Sequence, residues 1–375
     1  MIVFLYFFSA TILLLYAIIL LLPAFYFLLR DKTKSRKEIS LPFISVILPV
    51  RNEEKNIATC LESLHELNYP EELYEIILID DHSTDNTKNI ATQFSKLMPN
   101  LHLLEADRNS QGKKQAINHG IKNAKGEIIA TTDGDCVVPP EWLKEIANVF
   151  DDPEIIFAAG PVAYKNKLSL LRDFLSVEQI ILQLVAAGSM QMRFPLMCSG
   201  ANLAYRKQFF LQSGGYDDDK FASGDDMMLM LKASRAGKTK MKFIGEKTAI
   251  VHTNSAATIS ESLSQRIRWS SKFSAYKTGF AGVAGITVFT ANFMLLVMAV
   301  ISLWEPGVFP VLLSAFLGKM LIDLLLLSLA VPFFREPRLL LLAPAGGLFY
   351  PLLSSVSAIA GLTGSFSWKG RKWKT

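Results

Sequence analysis

Residues 1–29 form an almost unbroken apolar run, and about 20 such residues are enough for a helix to cross roughly 30 Å of hydrocarbon. The run is longer than a secretory leader and has neither a basic start nor a clear small-residue cleavage site, so it reads as a retained transmembrane helix. Two more apolar runs, 282–304 and 308–334, are separated by the turn-forming Glu305, Pro306 and Gly307 and read as a transmembrane hairpin. Residues 339–364 are also apolar but contain Pro344, Gly346, Gly347 and Pro351, which leaves either a third crossing or a re-entrant pair. Such a chain has to fold as a polar middle with membrane segments at both ends.

Orientation follows from charge. Arg30, Lys32, Lys34, Arg36 and Lys37 come directly after the first apolar run, and such clusters stay on the cytoplasmic side and attract anionic headgroups. The expectation is a multi-pass protein of the cell membrane whose middle domain faces the cytoplasm. A third full C-terminal crossing would put Lys369, Arg371, Lys372 and Lys374 outside, so the basic tail favours the re-entrant form. The formal charge of +5 is modest, and the cations cluster beside apolar segments instead of forming an aromatic-interleaved stripe, which points to a membrane surface and away from nucleic acid. Cys60, Cys136 and Cys198 are odd in number and lack metal-ligand spacing. They read as buried, reduced thiols.

From Phe43 onward, short β-rich runs (FISVILP, YEIILID, LHLLE, EIIATTD and a segment around 155–163) alternate with helical stretches near 53–66, 85–98, 112–124 and 140–150. That alternation predicts an α/β domain with a parallel-rich, doubly wound sheet over about residues 40–255. Residues 168–190 and 259–280 read as helices with wide apolar faces; both suit the membrane surface, and the first equally suits an amphipathic core helix.

Ligands in such sheets bind beyond the carboxyl ends of strands, where the acidic motifs fall. Asp133 and Asp135 follow EIIATT and present two carboxylates to one divalent cation, Mg²⁺ or Mn²⁺, that a diphosphate can share. In LPVRNEEKNI, a strand ends and a helix opens, so N–H groups around Val50 to Glu53 are expected to face an anion, with Pro49, Arg51 and Glu53 beside it. Asp80 and Asp81 end the strand YEIILID, and Asp80, Ser83 and Asp85 can also cap the next helix. Lys113 starts the helix near 112–124. His252 either approaches the metal or is a structural histidine. Lys319 and Asp323 are four apart inside an apolar segment, which predicts that they pair with one another.

Taken in order, IDDHSTDNT at 79–87, DGD at 133–135, SGDD at 223–226 and QRIRW at 265–269 resemble the motifs of the family 2 glycosyltransferases. The resemblance implies a glycosyltransferase A type nucleotide-sugar-binding domain. In that family the first loop cradles the nucleotide, one of the Asp80/Asp81 pair resembles the carboxylate that binds uracil, and the counterpart of Lys113 contacts the nucleotide. Asp226 matches the general base, with Asp225 beside it where Glu is more usual, although a helix N-cap role suits the pair as well. Gln265, Arg268 and Trp269 match Gln-x-x-Arg-Trp, where Arg neutralises the leaving diphosphate and the indole stacks on an acceptor; Arg266 falls within the same group. The tail SWKGRKWK resembles a terminal motif of some lipid-directed members, or is a membrane-interface anchor.

The expected organisation is a transmembrane helix at 1–29, a cytoplasmic transferase domain at 30–255, an interfacial helix at 256–280, a transmembrane region at 281–364 and a basic aromatic tail at 365–375. The expected reaction is inverting, metal-dependent transfer of a sugar from a nucleotide sugar, a UDP-hexose, to a membrane lipid or lipid-linked glycan. A processive polysaccharide synthase and a non-catalytic membrane scaffold are the alternatives.

Overall fold

The structure, a computed structural model, describes residues 1–29, 41–106, 112–165, 169–216, 225–271, 279–363, 365–368 and 371–374. The basic cluster at 30–37, the Ser223–Gly224 part of SGDD and the side chains of the basic tail lie outside the described residues. The chain divides into two compact units. One comprises Asp31–Lys165 and Met197–Asn254, the other Met1–Arg30, Asn166–Leu196 and Ser255–Thr375.

The first unit is built on a seven-stranded sheet. Strands β1 (Ile44–Val50), β2 (Tyr74–Asp80), β3 (Leu101–Glu105) and β4 (Ile128–Thr131) lie parallel in the order β3-β2-β1-β4. Their near-continuous apolar sequences fit burial on both faces. Helix α1 (Ile2–Leu28) belongs to the second unit; in the first, α2 (Ile57–His65), α3 (Thr87–Phe94), α4 (Lys113–Asn123) and α5 (Trp142–Phe150) accompany these strands. At Gly120 of α4, a Cβ would come within 2.6 Å of Ile79 Cδ1, so the helix seats directly on the sheet. Glu75 is buried inside β2 and is satisfied by the Ser45 hydroxyl at 2.7 Å and the Lys125 N–H at 2.6 Å.

Beyond β4 the sheet departs from the sequence expectation. The segment expected as one strand near 155–163 is two, β5 (Phe157–Ala159) and β6 (Val162–Tyr164), broken at Gly160 and Pro161. A Cβ at Gly160 would lie 2.3 Å from Asn202 Nδ2, so a side chain here is sterically excluded. Strand β7 (Leu203–Arg206) inserts antiparallel between β4 and β5, and β8 (Met241–Phe243) adds parallel to β5. The sheet is therefore mixed, though mostly parallel. A separate two-stranded ladder pairs β6 with β9 (Val251–Thr253). Buried Asn202 ties these pieces together: its Oδ1 accepts from Trp142 Nε1 and its Nδ2 donates to the carbonyls of Pro161 and Ala249, each at 2.9 Å.

The second unit is helical. It contains α1, α6 (Leu170–Gln191), α9 (Ile259–Ser270), α10 (Phe280–Ile301), α11 (Phe309–Phe334) and α12 (Ala343–Thr363), while α7 (Lys207–Gln212) and α8 (Asp225–Ala236) belong to the first unit. Among the described residues, four helices are long and apolar enough to cross a bilayer: Ile2–Leu28, Phe280–Ile301, Pro306–Phe334 and Pro337–Leu362, the last two with their short 3₁₀ leads. Residues 343–363 form one helix that runs through Gly346, Gly347 and Pro351, not a broken pair. Pro344 falls in its first turn, where a missing N–H costs no hydrogen bond.

Helix α6 packs along α1 and buries more than half of its residues, Arg172, Ser176 and Gln183 among them. It groups with the apolar helices and not with the sheet. The buried guanidinium of Arg172 is balanced by Asp173 at 2.9 Å and Glu336 at 2.7 Å, and Arg338 approaches the same two acids at 3.2 and 3.4 Å. Two cations and two anions cancel, as burial of charge demands. Gly188 sets the α1–α6 approach, since a Cβ there would stand 1.7 Å from the Pro23 carbonyl oxygen. Gly188→Ala is expected to force the two helices apart and cost about 1–3 kcal/mol. Thermal melting of the full chain in detergent should show a lower midpoint for the variant.

Candidate active site

The site grows from strand register. Val50 pairs with Asp80, and Ile47 with Thr131, so β1, β2 and β4 release Arg51, Asp81 and Asp133 at the same edge. The chain turns outward to β2 and β3 on one side of β1 and to β4 on the other, which makes this edge a topological switch point.

The loop after β1 is bound to the loop after β2. The N–H of Asn52 donates to Ser83 Oγ at 3.0 Å, that of Glu53 to Thr87 Oγ1 at 2.7 Å and that of Glu54 to Asp85 at 3.1 Å. Asn52 and Glu53 are among the donors expected to face an anion; their N–H groups are instead used within the protein. Helix α2 starts at Ile57 and α3 at Thr87, later than the sequence pattern suggests. Asn52 and His82 adopt left-handed backbone at φ 52° and 56° to make this junction.

Asp80 accepts from the N–H of Ser83 at 3.2 Å. Asp81 is buried; its Oδ1 accepts from the Gly112 N–H at 3.3 Å, and Arg51 lies 3.9 Å from its carboxylate while donating to its main-chain oxygen at 2.7 Å. Gly112, at φ 107°, is the N-cap residue of α4, so Asp81 anchors the start of the helix that carries Lys113. Lys113 Nζ then reaches Asp133 Oδ1 at 2.6 Å. Arg51, Asp81, Gly112, Lys113 and Asp133 are thereby linked in one chain of contacts. Pro49 lies within β1 and pairs with Ile79.

The turn holding Asp133 and Asp135 closes through the Cys136 N–H to the Asp133 carbonyl at 2.9 Å. It is pressed against the end of β1, because a Cβ at Gly134 would meet Val50 Cγ1 at 2.9 Å and Glu53 Cγ at 3.1 Å. Ligand atoms of Asp133, Asp135 and Cys136 lie within 4.8 Å of one another. Burial pushes the Asp135 carboxyl above its ordinary value, and the charges of Asp133 and Glu53 push it further, while the Thr253 hydroxyl and Lys165 oppose them. An excess of negative charge of this kind is relieved by a cation. The Cys136 thiol is also driven well up, by burial first and then by Asp135 and Asp133, so it stays protonated. Two carboxylates and no thiolate form a hard oxygen pair, which fits Mg²⁺ or Mn²⁺.

Thr253 and Lys165 were not legible as site residues. Thr253 Oγ1 donates to Asp135 at 3.1 Å, and its main-chain oxygen accepts from the Lys165 N–H at 2.8 Å. Asn254 reaches Asn56, which in turn holds Glu53 at 2.9 Å. No local motif marks this segment; the β6–β9 pairing and the main-chain bridge between Val137 and His252 bring it to the turn. Among the described residues the cation-ligating group does not include His252, whose main chain instead bridges Val137.

Asp226 sits in the first turn of α8. Its Oδ2 accepts from the Gly200 N–H at 3.0 Å and its Oδ1 from the Met227 N–H at 2.8 Å. The Gly200 carbonyl accepts from Thr131 Oγ1 at 3.1 Å, which fastens Asp226 to the end of the strand that leads into Asp133. The side chain of Asp225 lies outside the described residues.

Helix α9 of the second unit carries QRIRW. Thr258 caps it by accepting from the Glu261 N–H at 3.1 Å, and Glu261 accepts from the N–H of Ala257, the residue before the cap, at 2.8 Å. Gln265 and Arg268 are half-buried and Trp269 is exposed. Arg266 is buried and forms a two-pronged ion pair with Glu178. The helix expected over 259–280 ends at Ser270, and 272–278 lie outside the described residues.

Residues 45–211 match the family described as Glycosyl transferase family 2. The chain is 39% identical over 125 residues to the glycosyltransferase AglE of Haloferax volcanii, covering 33% of this chain and 41% of that protein. It is 36% identical over 123 residues to a beta-monoglucosyldiacylglycerol synthase of Nostoc, covering 32% and 26%. The chain thus spans less than half the length of these curated relatives. Among solved structures, the mannosyltransferase PcManGT of Pyrobaculum calidifontis, in complex with GDP-Man and Mn²⁺, superposes with a TM-score of 0.57 at 18% identity, covering 94% of this chain and 98% of that one. Residues 45–211 are thus similar to a family 2 glycosyltransferase domain, and the chain shares the fold of the Pyrobaculum enzyme.

The Asp135 shift has a defined sign. A carboxyl whose folded value lies above its unfolded value favours folding most at low pH and loses that contribution as pH rises through the raised value. Asp135→Asn is expected to flatten this part of the stability profile and to weaken the stabilisation that Mn²⁺ gives the wild type at neutral pH. Melting curves with and without Mn²⁺, from acidic to neutral pH, test both.

Proposed function

We propose that this protein transfers a sugar from a nucleotide sugar, with UDP as carrier, to a membrane lipid or lipid-linked acceptor, with inversion at the anomeric carbon. The observation that carries the reading is the cluster of Asp133, Asp135 and Lys113 at the sheet's switch point, in a family 2 domain whose chain also holds four bilayer-length helices. The lipid product named for the Nostoc relative supports the acceptor class, and the Mn²⁺ named for the Pyrobaculum enzyme agrees with the carboxylate pair.

Asp133 and Asp135 are the residues that would hold Mg²⁺ or Mn²⁺, which when bound neutralises charge on a diphosphate. Lys113, already directed at Asp133, supplies a second positive charge for the leaving group. Asp226 takes the proton from the acceptor hydroxyl, and its two backbone hydrogen bonds hold the carboxylate in place for this. The acceptor oxygen forms its bond to the anomeric carbon as the bond to the diphosphate breaks on the opposite face. Arg268 is assigned to the departing diphosphate and Trp269 to the acceptor on the Gln-x-x-Arg-Trp motif; one of Asp80 and Asp81 is assigned to the uracil ring. The domain faces the cytoplasm, where nucleotide sugars are available.

The test is product analysis on membranes containing the wild type or Asp226→Asn, supplied with labelled UDP- and GDP-sugars, Mg²⁺ or Mn²⁺ and total lipid extract. Label should enter a discrete lipid and fall by about 10²–10⁴-fold in the variant. Label in a high-mass polymer would instead establish a processive synthase, and absence of transfer across the donor panel would leave a binding role.

A further inference from the structure

In the second unit, α9 is fastened from inside by a charge-balanced set of side chains. Glu178 of α6 takes both terminal nitrogens of Arg266, with Nη1 to Oε1 at 2.7 Å, and both side chains are largely buried. The Arg266 guanidinium also lies 5.9 Å from the ring centre of Tyr350 on α12. Lys319 of α11 approaches the same ring at 5.4 Å and pairs with Asp323 at 2.6 Å, which accepts from the Tyr16 hydroxyl of α1 at 2.7 Å. Two cations, two anions and two tyrosines thus connect α1, α6, α9, α11 and α12. A guanidinium held in this two-pronged way keeps its orientation, and so does the helix that bears it.

Arg266 lies within QRIRW but is turned 200° around the helix from Arg268, given about 100° per residue. One arginine of the motif is therefore buried against Glu178 while the other faces away. We infer that Arg266 is a positioning residue for the transfer reaction: its clasp on Glu178 fixes the rotational setting of α9, and with it the directions of Gln265, Arg268 and Trp269. The inference rests on the transferase reading for the role of those three side chains. It separates Arg266 from the substrate-binding role that its place in the motif suggests.

A clasp and a substrate contact give opposite results in a charge-exchange series. If Arg266 positions α9, Arg266→Gln and Glu178→Gln each lower kcat per folded enzyme by about 10- to 100-fold, the size of loss that small misplacements produce, and leave donor KM unchanged. The exchange variant Glu178→Arg/Arg266→Glu then recovers most of the loss. If Arg266 binds substrate, Glu178→Gln stays near wild type and the exchange variant is as impaired as Arg266→Gln; that result overturns the inference. A second readout needs no turnover. The three native cysteines are buried, so a nitroxide on Ser264→Cys, at an exposed position of α9, reports the helix selectively. Its spectrum should be immobilised in the wild type, mobile in both single variants and immobilised again in the exchange. Should the wild type show no transfer, the functional reading fails, and the spectra alone still decide the clasp: mobility unchanged by the single variants, or not reversed by the exchange, rejects it.

Discussion

The parallel pairing of Ile44–Val50 with Tyr74–Asp80 and with Ile128–Thr131 is the constraint on which the first unit and its acidic cluster depend. It ends three strands at one edge and delivers Asp81, Asp133 and Asp135 there with little intervening chain. Burial, and then the charges of Asp133 and Glu53, raise the proton affinity of Asp135, while Lys113 pairs with Asp133. Arg51 holds Asp81, Asp81 holds the first residues of α4, and α4 presents Lys113 to Asp133. Asp81, a residue that resembles a nucleotide contact, is thus also the structural support of the helix that carries Lys113.

The helical unit meets the same electrostatic requirement in a less polar setting. Arg172 and Arg338 share Asp173 and Glu336, and Arg266 and Lys319 are matched by Glu178 and Asp323. A charge removed from water has to be neutralised locally, and removal of one partner leaves the other exposed to the full desolvation cost. These pairs also have direction. Geometry specifies which helix faces meet, where apolar packing alone tolerates rotation and slippage. Gly188 adds a steric condition by admitting the Pro23 carbonyl.

Much of this was legible in the residues. The runs ISVILPV, YEIILID and LHLLE announce parallel strands because apolar stretches of that length, separated by helical patterns, have few other ways to be buried on both faces. The i, i+4 spacing of Lys319 and Asp323 anticipated their pairing. The later strands were not legible. Leu203–Arg206 is four residues long and joins the sheet antiparallel to neighbours distant in sequence, and local periodicity carries no record of such a partner. The donors of Asn52 and Glu53 looked available for an anion because Ser83 and Thr87, which take them, are about thirty residues away.

The sequence by itself determined that polar and apolar parts would separate, that strands and helices would alternate in the middle, and which side chains were chemically able to bind a cation, move a proton or meet a phosphate. These follow from composition and short-range spacing, where the relevant energies are local. Tertiary structure alone decided which of the candidates act in concert: that Thr253 leans on Asp135, that Asp226 is fastened through Gly200 to the strand before Asp133, and that Arg266 turns inward to Glu178. Burial and hydrogen-bond saturation are properties of the whole packed chain, and they assign different duties to residues that look equivalent along the sequence.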